Sequence, residues 1–570
     1  MAVKESPSDD SSRKNGGYLI YPFFYFAFSH FYVEIWREYA KINCMPEDNK
    51  ENRENKENKK FYITTSIAYT NAPPHVGFAL EIIQADVLAR YHRLSGEDTF
   101  FLTGTDEHGS KIAKKAEEEG KAPKEFVDVI SDKFRQLAGI LNLSNDDFIR
   151  TTDKERHWPT AQKIWQIMAE KGDIYKKKYK GLYCVGCEAF LKEKELVEGK
   201  CPLHKKEPEI IEEENYFFRL SKYEKQLKGL IEREEIKIIP QTRKNETLSF
   251  LEQGLEDISF SRSKEKLSWG IPVPGDESQV MYVWADALTN YISAVGYFEN
   301  SGNFKKYWPA DVHCIGKDIL RFHILFWPAI LLSAGISLPK SLLVHGFITV
   351  GGEKMSKSIG NVIDPFALVE KYGTDAVRYF LLREIPSTED GDFTYEKFEN
   401  RYNSDLASGL GNLVARTITM VEKYCEGMVP QINKNPDEHP LRINENIYNW
   451  KKSWSGLDEG IKEYRFNDAL VSIWNFIKEA DKYIEDNKPW NLDKEGKKEE
   501  LNWVLYGLLD ALHQIAWQIY PFMPETALKI ADSLGIDGLK KKKLLYGDSW
   551  RNLKPGLKIR KNENLFPRLR

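Results

Sequence analysis

Residues 61–94 read FYITTSIAYTNAPPHVGFALEIIQADVLARYHRL, and this stretch decides the fold. It opens with a β-rich run, FYITTSI, and continues into a turn, AYTNAPP, that is rich in Asn and Pro. From about His75 the pattern changes to helical spacing. Leu80, Ile83 and Val87 fall on one face of that helix. The stretch therefore predicts a strand, a turn and an amphipathic helix, in that order.

The same alternation of strand and helix occurs twice more along the chain. FFL, TGTDEHG and SKIAKKAEEEG follow from residue 100, and VHCIG, KD and ILRFHILFWPAILLSAG follow from residue 312. This alternation predicts βαβ units and a Rossmann-like parallel sheet. Ligands of such sheets bind beyond the carboxyl ends of the strands. The residues that fall at these ends are His75, Asp106, His108, Gly316, Lys317 and Asp318.

The composition is that of an ordinary globular protein with several domains, since the chain has 570 residues. Its 82 Lys and Arg and 86 Asp and Glu give a net charge of −4. Contact with nucleic acid must therefore come from local basic patches. Six cysteines are too few for a disulfide framework, so a reducing, cytoplasmic location is expected.

The first 59 residues differ in composition from the rest. Residues 18–36 are apolar, but their uninterrupted part is shorter than a bilayer span, so no membrane anchor is expected. Residues 46–60 read PEDNKENRENKENKK, a low-complexity linker. We interpret residues 1–59 as a disordered or dispensable extension, with Met45 as a candidate for the true start.

Two separated motifs are suited to phosphate binding. His75 and Gly77 form an H-x-G at the predicted helix start, where backbone N–H groups and the helix dipole favour an anion. Much further along, GGEKMSKS places Lys354 and Lys357 on a glycine-hinged loop that can clamp a leaving pyrophosphate. Alone, such a histidine is often a helix cap, and such a loop is often merely solvated. The combination of the two motifs is much more specific.

Four residues have the spacing of a zinc knuckle. They are Cys184, Cys187, Cys201 and His204, in the pattern C-x₂-C, thirteen residues, C-x₂-H. Four protein ligands close a tetrahedral shell, so the zinc would be structural rather than catalytic. The alternatives are unligated thiols or an opportunistic disulfide.

Long amphipathic stretches replace the strand patterns after about residue 395 and predict a helix bundle. Asn412 and Arg416 lie one turn apart on a predicted helix, and Trp490 follows a proline at a helix boundary. A tryptophan can stack on an unpaired base, and an arginine can contact base edges and phosphates. The alternative is a core tryptophan and a surface arginine.

Together these features make the sequence resemble the methionyl-tRNA synthetase family of class I aminoacyl-tRNA synthetases, over about residues 60–570. The motifs that carry the resemblance are YTNAPPHVGF, TGTDEHG, GLYCVGCEAF, WGIPVP, YVWADALTNY, IGKDILRFHILFWP and KMSKSIGNVIDP. The resemblance implies that L-methionine is activated by ATP, which enters with Mg²⁺, to methionyl-adenylate. Transfer to the 3′ end of tRNA(Met) would follow, with no covalent enzyme intermediate.

The resemblance also assigns residues to subsites for ATP. The implied catalytic residues, which would stabilise the α-phosphate and the departing pyrophosphate, are His75, Gly77, Lys354 and Lys357. The further ATP-binding residues are Gly316, Lys317, Asp318, Met355, Ser356 and Ser358. Asp318 would bind the ribose or, alternatively, cap the following helix. The family's motif usually has a second histidine where this chain has Phe78, so one transition-state donor is missing.

The implied methionine-binding residues are Ser66, Ile67, Tyr69, Asp106, Trp284, Ala287, Leu288, Tyr291, Ile319, His323 and Trp327. Asp106 would bind the substrate ammonium, and Tyr291 and His323 could donate hydrogen bonds to the sulfur. Ile319, His323 and Trp327 are spaced to share one helix face. The same spacing equally describes a buried core.

For the remainder of the chain, the resemblance implies anticodon recognition by Asn412, Arg416 and Trp490, and a zinc-bearing insertion over the acceptor end of the tRNA. The predicted domains are an extension (1–59), two halves of the catalytic domain (60–174 and 269–345), the insertion (175–268), a KMSKS and stem-contact region (346–395) and the anticodon-binding bundle (396–570). The chain ends without a further dimerising domain, so a monomer is expected.

Two rival functions remain. One is a class I synthetase for leucine, isoleucine, valine or cysteine, which the lack of a large editing domain disfavours. The other is a catalytically inactive RNA-binding protein, which the retained His75 and complete KMSKS motif disfavour.

Overall fold

The structure is a computed structural model that describes residues 59–186, 189–191, 193–202, 205–355, 360–432, 450–536, 553–561 and 563–569. All of these residues belong to one compact unit. The predicted N-terminal extension, up to residue 58, lies outside the described residues. Within the described part, no helix is both long enough and apolar enough to cross a membrane.

Strands and helices alternate in the first part of the chain. They are β1 (Lys60–Thr65), β2 (Ala68–Tyr69), α1 (Val76–Leu94), β3 (Asp98–Asp106), α2 (Ser110–Glu118), α3 (Pro123–Ile140), β4 (Asp147–Arg150) and α4 (Trp158–Glu170). The next segment contains β5 (Ile174–Cys184), β6 (Ala189–Leu191), β7 (Glu209–Phe218), α5 (Glu224–Glu232), β8 (Lys237–Ile239), α6 (Gln241–Leu251), β9 (Ile258–Ser259), β10 (Ser261–Ser263), β11 (Pro272–Val273) and β12 (Asp276–Met281).

The next part of the chain covers the predicted second half of the catalytic domain and the predicted KMSKS region. It contains α7 (Val283–Ala287), α8 (Asn290–Ser293), α9 (Gly302–Tyr307), β13 (Val312–Gly316), α10 (Trp327–Ala334), β14 (Ser341–His345), β15 (Ile348–Val350), β16 (Glu353–Lys354), α11 (Pro365–Tyr372), α12 (Thr374–Arg383) and β17 (Gly391–Phe393). The remaining described helices are α13 (Tyr395–Arg401), a π-helix (Tyr402–Gly411), α14 (Asn412–Cys425), α15 (Trp450–Lys462), α16 (Phe466–Asn487), α17 (Pro489–Lys494), α18 (Lys498–Ile519) and α19 (Pro524–Ser533).

The main sheet is parallel and has seven strands. β1 pairs with β3 on one side and β13 on the other, β14 and β8 continue beyond β13, and β2 and β4 both pair with β3. The strand order therefore reverses between β1 and β13, and a ligand crevice is expected at this point. The predicted Rossmann-like fold is confirmed.

Helix α1 starts where the sequence predicts, with His75 as its N-cap. Leu80, Ile83 and Val87, the predicted inner face, are at most 1% exposed. The opposite side is buried too, because the helix bundle covers it. Tyr91, for example, donates a hydrogen bond to Asp458 on α15. Both faces of α1 are therefore buried, although its sequence pattern predicts one buried and one exposed face.

The segment expected to be one helix after β13 is irregular. A 3₁₀ turn (Lys317–Ile319) and a π-helix (Phe322–Phe326) precede α10. Pro328 lies in the first turn of α10 and has no N–H to donate to the preceding turn, which favours a departure from regular α-helical bonding. The predicted strand SLLVHGFITV is also divided, into β14 and β15. A Cβ atom on Gly346, between them, would lie 2.2 Å from the backbone carbon of Glu389.

Three antiparallel or mixed sheets surround the main one. β6, β5, β7 and β9 form a four-stranded antiparallel sheet in the predicted insertion. β10, β12 and β11 form a second sheet, and β16, β15 and β17 form a third beside the KMSKS motif. Beyond β17 the regular elements of the described residues are helical, as predicted.

A buried arginine joins the nucleotide fold to the bundle. Arg378, on α12, is fully buried and donates hydrogen bonds to the carbonyls of Pro521 (2.9 Å) and Phe522 (2.8 Å). Its guanidinium also lies 2.7 Å from the carboxylate of Asp86 on α1. The helix that begins at His75 is therefore held directly against the bundle.

Candidate active site

A cavity of about 1080 Å³ opens at the carboxyl ends of β1, β3 and β13. It is lined by seven residues of the predicted ATP site: His75, Gly77, Gly316, Lys317, Asp318, Lys354 and Met355. It is also lined by ten residues predicted for methionine: Ser66, Ile67, Tyr69, Asp106, Trp284, Ala287, Leu288, Tyr291, Ile319 and His323. Ser356, Lys357 and Ser358 lie outside the described residues. One cavity thus brings together segments more than 250 residues apart in sequence.

The first residues of α1 leave room for another group to come close to the helix N-terminus. The ring of His75 is exposed, and its Nδ1 accepts a hydrogen bond from the Gly77 N–H at 3.1 Å. In the neutral ring the proton is therefore on Nε2. A Cβ atom on Gly77 would lie 2.9 Å from the His75 ring and 3.6 Å from the Met355 methyl group. Met355 of the KMSKS motif therefore packs over the helix N-terminus, and Gly77 leaves room for it.

Phe78, which replaces the family's second histidine, has a packing role. Its ring meets the ring of Phe134 edge-on, with centroids 5.0 Å apart and planes at 90°. It also lines the cavity. The sequence alone gave no reason for this residue, because its partner lies on α3, about 56 residues away.

The ring of Phe347 contacts two of the three lysines of the predicted ATP site. Lys317 Nζ is 4.3 Å and Lys354 Nζ is 4.7 Å from the centre of its ring. Lys317 also binds both carboxylate oxygens of Asp390 at 2.7 Å. Burial alone would raise the pKa of Asp390, but Lys317 and the Phe347 N–H keep this pKa below its usual value. Phe347 and Asp390 were not predicted from the sequence.

Asp106 and the aromatic residues form the other end of the cavity. Asp106 is 7% exposed at the end of β3. Trp284 stacks on Phe322, with ring centroids 3.8 Å apart. An acidic group beside apolar and aromatic walls is suited to an amino acid with a long, soft side chain.

The expected donors to the substrate sulfur are engaged with each other. Burial lowers the pKa of His323 to about 4, so its ring is neutral. Its Nδ1 lies 3.0 Å from the Ile319 carbonyl and donates to it. Nε2 is then an acceptor, and the Tyr291 hydroxyl donates to it at 2.7 Å. The structure therefore differs from the sequence expectation, since both protons point to protein acceptors.

Trp327 is the one predicted methionine-binding residue that does not line the cavity. It is fully buried, and its ring lies 6.0 Å from that of Tyr291. The expected common face of Ile319, His323 and Trp327 assumed a regular helix, whereas the structure has a 3₁₀ turn and a π-helix there. Trp327 supports the wall from behind.

A buried network that the sequence analysis missed lines the same cavity. Glu81 on α1 accepts hydrogen bonds from the Ser66 N–H (2.8 Å) and hydroxyl (2.6 Å). Its other oxygen lies 2.9 Å from Nε2 of His345. Nδ1 of His345 lies 2.8 Å from the Gly346 carbonyl, so both ring nitrogens face acceptors and the ring carries two protons. The one available signal was an acidic residue inside the apolar run FALEII.

Comparison with known proteins identifies the family. The family model for class I tRNA synthetases (M) matches residues 61–208 and 194–418, and the model for the anticodon-binding domain of tRNA ligases matches residues 451–566. The chain belongs to the methionyl-tRNA synthetase family. The sequence-based recognition is thereby confirmed.

Individual members of the methionyl-tRNA synthetase family are similar over most of the chain. The methionine–tRNA ligase of Thermotoga maritima is 46% identical over 514 residues, which is 90% of this chain and 80% of that protein. That of Brucella suis is 45% identical over 487 residues, 85% of this chain and 93% of that protein. A solved Mycobacterium tuberculosis methionyl-tRNA synthetase in complex with methionyl-adenylate has a TM-score of 0.84 and 41% identity, and covers 90% of this chain and 100% of its own.

The predicted zinc ligands of this synthetase are only partly described. Cys184 ends β5 and is 4% exposed, and Cys201 is 1% exposed. Cys187 and His204 lie outside the described residues. In the described part of the chain, no three metal-binding side chains are grouped together. The zinc site therefore stays a prediction.

The predicted anticodon-binding residues of the synthetase lie around one end of helix α16. Asn412 is exposed at the start of α14, and Arg416, one turn later, pairs with Asp481 and Glu485 on α16. Trp490 lies three residues beyond the end of α16 and is partly buried. The structure thus brings the three predicted side chains to neighbouring elements.

Proposed function

We propose that this cavity activates methionine with ATP and then transfers the methionyl group to the 3′ end of tRNA(Met). As a member of its family, the chain is an aminoacyl-tRNA ligase. In the first step a methionine carboxylate oxygen attacks the α-phosphorus of ATP, and the bond to the pyrophosphate oxygen breaks. In the second step a ribose hydroxyl of the tRNA attacks the activated carbonyl and AMP leaves.

The observation that carries the proposal is the meeting of the two phosphate-binding motifs. Met355 packs over Gly77, so Lys354 and the start of α1 border the same space. Backbone N–H groups at the start of α1 and the Nε2–H of His75 are donors suited to the α-phosphate. Lys354, and Lys357 in the part not described, supply positive charge for the pyrophosphate. Mg²⁺ bound to ATP would neutralise part of the remaining charge.

The subsites for the other groups follow from the cavity walls. Asp106 pairs with the substrate ammonium, and Asp318, which is exposed beside Gly316, accepts from the ribose hydroxyls. The stacked pair Trp284 and Phe322 faces the thioether, whose polarisable sulfur makes favourable contacts with aromatic rings. Catalysis here is positioning and electrostatics, and needs no enzyme nucleophile.

Amino-acid-dependent exchange of pyrophosphate into ATP tests this function. We expect exchange with methionine, and at most weak exchange with any other natural amino acid. Exchange with leucine, isoleucine, valine or cysteine in preference to methionine would assign the chain to a different substrate. Binding of tRNA without any exchange would show an RNA-binding protein that has lost catalysis.

We also propose a structural zinc on Cys184, Cys187, Cys201 and His204. The support is that Cys184 and Cys201 are buried and that Gly186, Cys201 and Pro202 line one side of the same cavity. The Lys205 N–H also donates a hydrogen bond to the Cys201 carbonyl at 2.8 Å. Bound zinc would supply no chemistry beyond bracing this insertion. Thiolate ligands also favour a reducing, cytoplasmic location.

Metal analysis of the purified chain tests the zinc site. We expect one zinc per chain, and a loss of zinc in Cys184→Ser but not in the control Cys425→Ser, which lies on α14. Full zinc content in Cys184→Ser would contradict the proposed ligand set.

Anticodon recognition by Asn412, Arg416 and Trp490 is the third part of the proposal. An exposed polar residue, an arginine and a partly exposed tryptophan at one end of a bundle provide hydrogen bonding, charge and stacking for unpaired bases. Arg416 is held by two acidic residues, which would fix the direction of its guanidinium.

A further inference from the structure

A buried cluster of polar side chains lies behind the wall of the cavity. Asp286, on α7, is 1% exposed, and His108 and His157 are 2% and 0% exposed. One carboxylate oxygen of Asp286 lies 2.6 Å from His108 Nδ1, and the other lies 2.7 Å from His157 Nε2. We call these three residues the Asp286 clamp.

Hydrogen bonds from the two histidines keep the Asp286 carboxylate ionised. Ser293 gives its one hydroxyl proton to the Thr289 carbonyl at 2.8 Å, so its oxygen accepts from His157 Nδ1 at 3.1 Å. Burial alone would raise the pKa of Asp286, but the two histidines outweigh burial and lower it, so the carboxylate is ionised. His157 donates to this carboxylate through Nε2. The clamp is a buried carboxylate whose two oxygens each face a histidine nitrogen.

The clamp joins the two ends of the amino-acid site. His108 is two residues beyond Asp106, which borders the cavity at the end of β3. Trp284 and Ala287, which also line the cavity, flank Asp286 on α7. His157 anchors the same carboxylate to the start of α4. The separation between the Asp106 carboxylate and the aromatic wall is therefore set through Asp286.

The loop that follows β3 has a second, independent anchor. Glu107 is fully buried and binds Arg150 through both of its oxygens, at 2.6 and 2.9 Å. The Trp269 indole N–H donates to the Glu107 carbonyl at 2.6 Å. Loss of the clamp would consequently relax the separation of the two walls while the loop stays attached.

We propose that Asp286 is a positioning residue that sets the enzyme's selectivity for methionine by fixing the distance between Asp106 and the wall formed by Trp284 and Ala287. It acts through His108 and His157 and does not touch the substrate. This inference rests on the proposed function, since it takes Asp106 and the aromatic wall to be the two ends of the methionine site.

The test is Asp286→Asn in the full chain, which keeps the shape of the side chain and removes its charge. An amide nitrogen would face one of the two histidine N–H groups, so one charged hydrogen bond is lost. We expect the KM for methionine in pyrophosphate exchange to rise roughly 10- to 100-fold, the range for losing such a bond. The KM for ATP should change less than about twofold, because the ATP side of the cavity is held by other contacts.

A second readout is the selectivity for methionine over ethionine, which is one methylene longer. The ratio of the two kcat/KM values should fall in Asp286→Asn, because a relaxed wall tolerates a longer chain. The matched control is Asp173→Asn. Asp173 is equally buried and accepts hydrogen bonds from Tyr223 (2.6 Å) and Ser333 (2.8 Å), but it lies away from the cavity. The control should lower thermal stability and leave both the methionine KM and the ratio unchanged.

The inference is overturned if Asp286→Asn folds with wild-type methionine KM and selectivity, or if its KM values for methionine and ATP rise equally. If Asp286→Asn does not fold, the methionine KM and the selectivity for methionine over ethionine are measured for His157→Gln instead. Its amide can still donate to Asp286, but no ring nitrogen remains to face Ser293, so a smaller rise in methionine KM is expected and no rise would refute the inference. Failure of the wild-type chain to exchange with methionine would instead refute the proposed function.

Discussion

The link between Glu81 and His345 makes a prediction that depends on pH. Glu81 joins α1, which starts at His75, to the end of β14, which leads to the KMSKS motif. The side chains of His345 and Glu81 are 8% and 5% exposed. We consider the change Glu81→Gln, which has nearly the same shape and no charge.

The structure limits how far Glu81→Gln can lower the free energy of unfolding. The amide oxygen of Glu81→Gln can keep both hydrogen bonds from Ser66, and its NH₂ group then faces His345 Nε2. If His345 loses one proton, Nε2 accepts from this NH₂ group and the geometry survives. The cost is then the difference between a charged and a neutral hydrogen bond, about 1–2 kcal/mol of unfolding free energy.

The pH dependence follows from the pKa of His345. Burial alone would lower this pKa, but the hydrogen bond to Glu81 and the charge of Glu81 raise it. The stabilisation from a raised folded-state pKa is fully present below the unfolded pKa, near 6.5, and is lost as pH rises through the folded value. The stability difference between wild type and Glu81→Gln should therefore be largest near pH 6 and shrink as pH rises.

Urea unfolding of both proteins at pH 6, 7, 8 and 9 measures this difference. The matched control is Glu107→Gln, because buried Glu107 pairs with Arg150, which does not titrate in this range. Its stability difference should stay constant from pH 6 to 9. A difference for Glu81→Gln that stays constant or grows with pH would refute the assignment of a charged His345.

Two further predictions concern substitutions at the active site and the bundle. Phe78→His should speed adenylate formation in pyrophosphate exchange because it adds a donor beside the phosphates, whereas Phe78→Leu should mainly lose the edge-on contact with Phe134, about 0.5–1.5 kcal/mol of stability. Slower exchange in a stably folded Phe78→His would show that adenylate formation requires the packing of Phe78 against Phe134. Trp490→Ala should raise the KM for tRNA roughly 5- to 150-fold, the cost of one lost base stack, and leave methionine-dependent exchange unchanged. Equal damage to both activities would identify Trp490 as structural.

Local sequence patterns were enough to predict much of the fold. The run from Phe61 to Leu94 has strand periodicity, a turn with two prolines and helix periodicity, and each pattern depends on neighbours in the chain. The order of strands and helices then implies a parallel sheet and places His75 and Asp106 at its functional edge. The break of the helix before Pro328 was missed, although the proline was a visible signal.

Contacts between distant segments could not be predicted from the sequence. Trp327 has the helical spacing of a wall residue, but the π-helix and the packing around Tyr291 place it behind the wall. The sequence showed that Phe78 departs from the family motif, and only the packing of α1 against α3 supplied its partner, Phe134.

The sequence by itself determined the family, the parallel sheet and the candidate groups for substrate binding, because motif spacing and periodicity are properties of the chain. Tertiary structure alone decided which of those groups are engaged with protein partners, as with Tyr291 and His323, and which buried charges hold them in place, as with Glu81 and Asp286. The physical reason is that a hydrogen bond or an ion pair depends on distances of about 3 Å between atoms, and only folding sets such distances between remote segments.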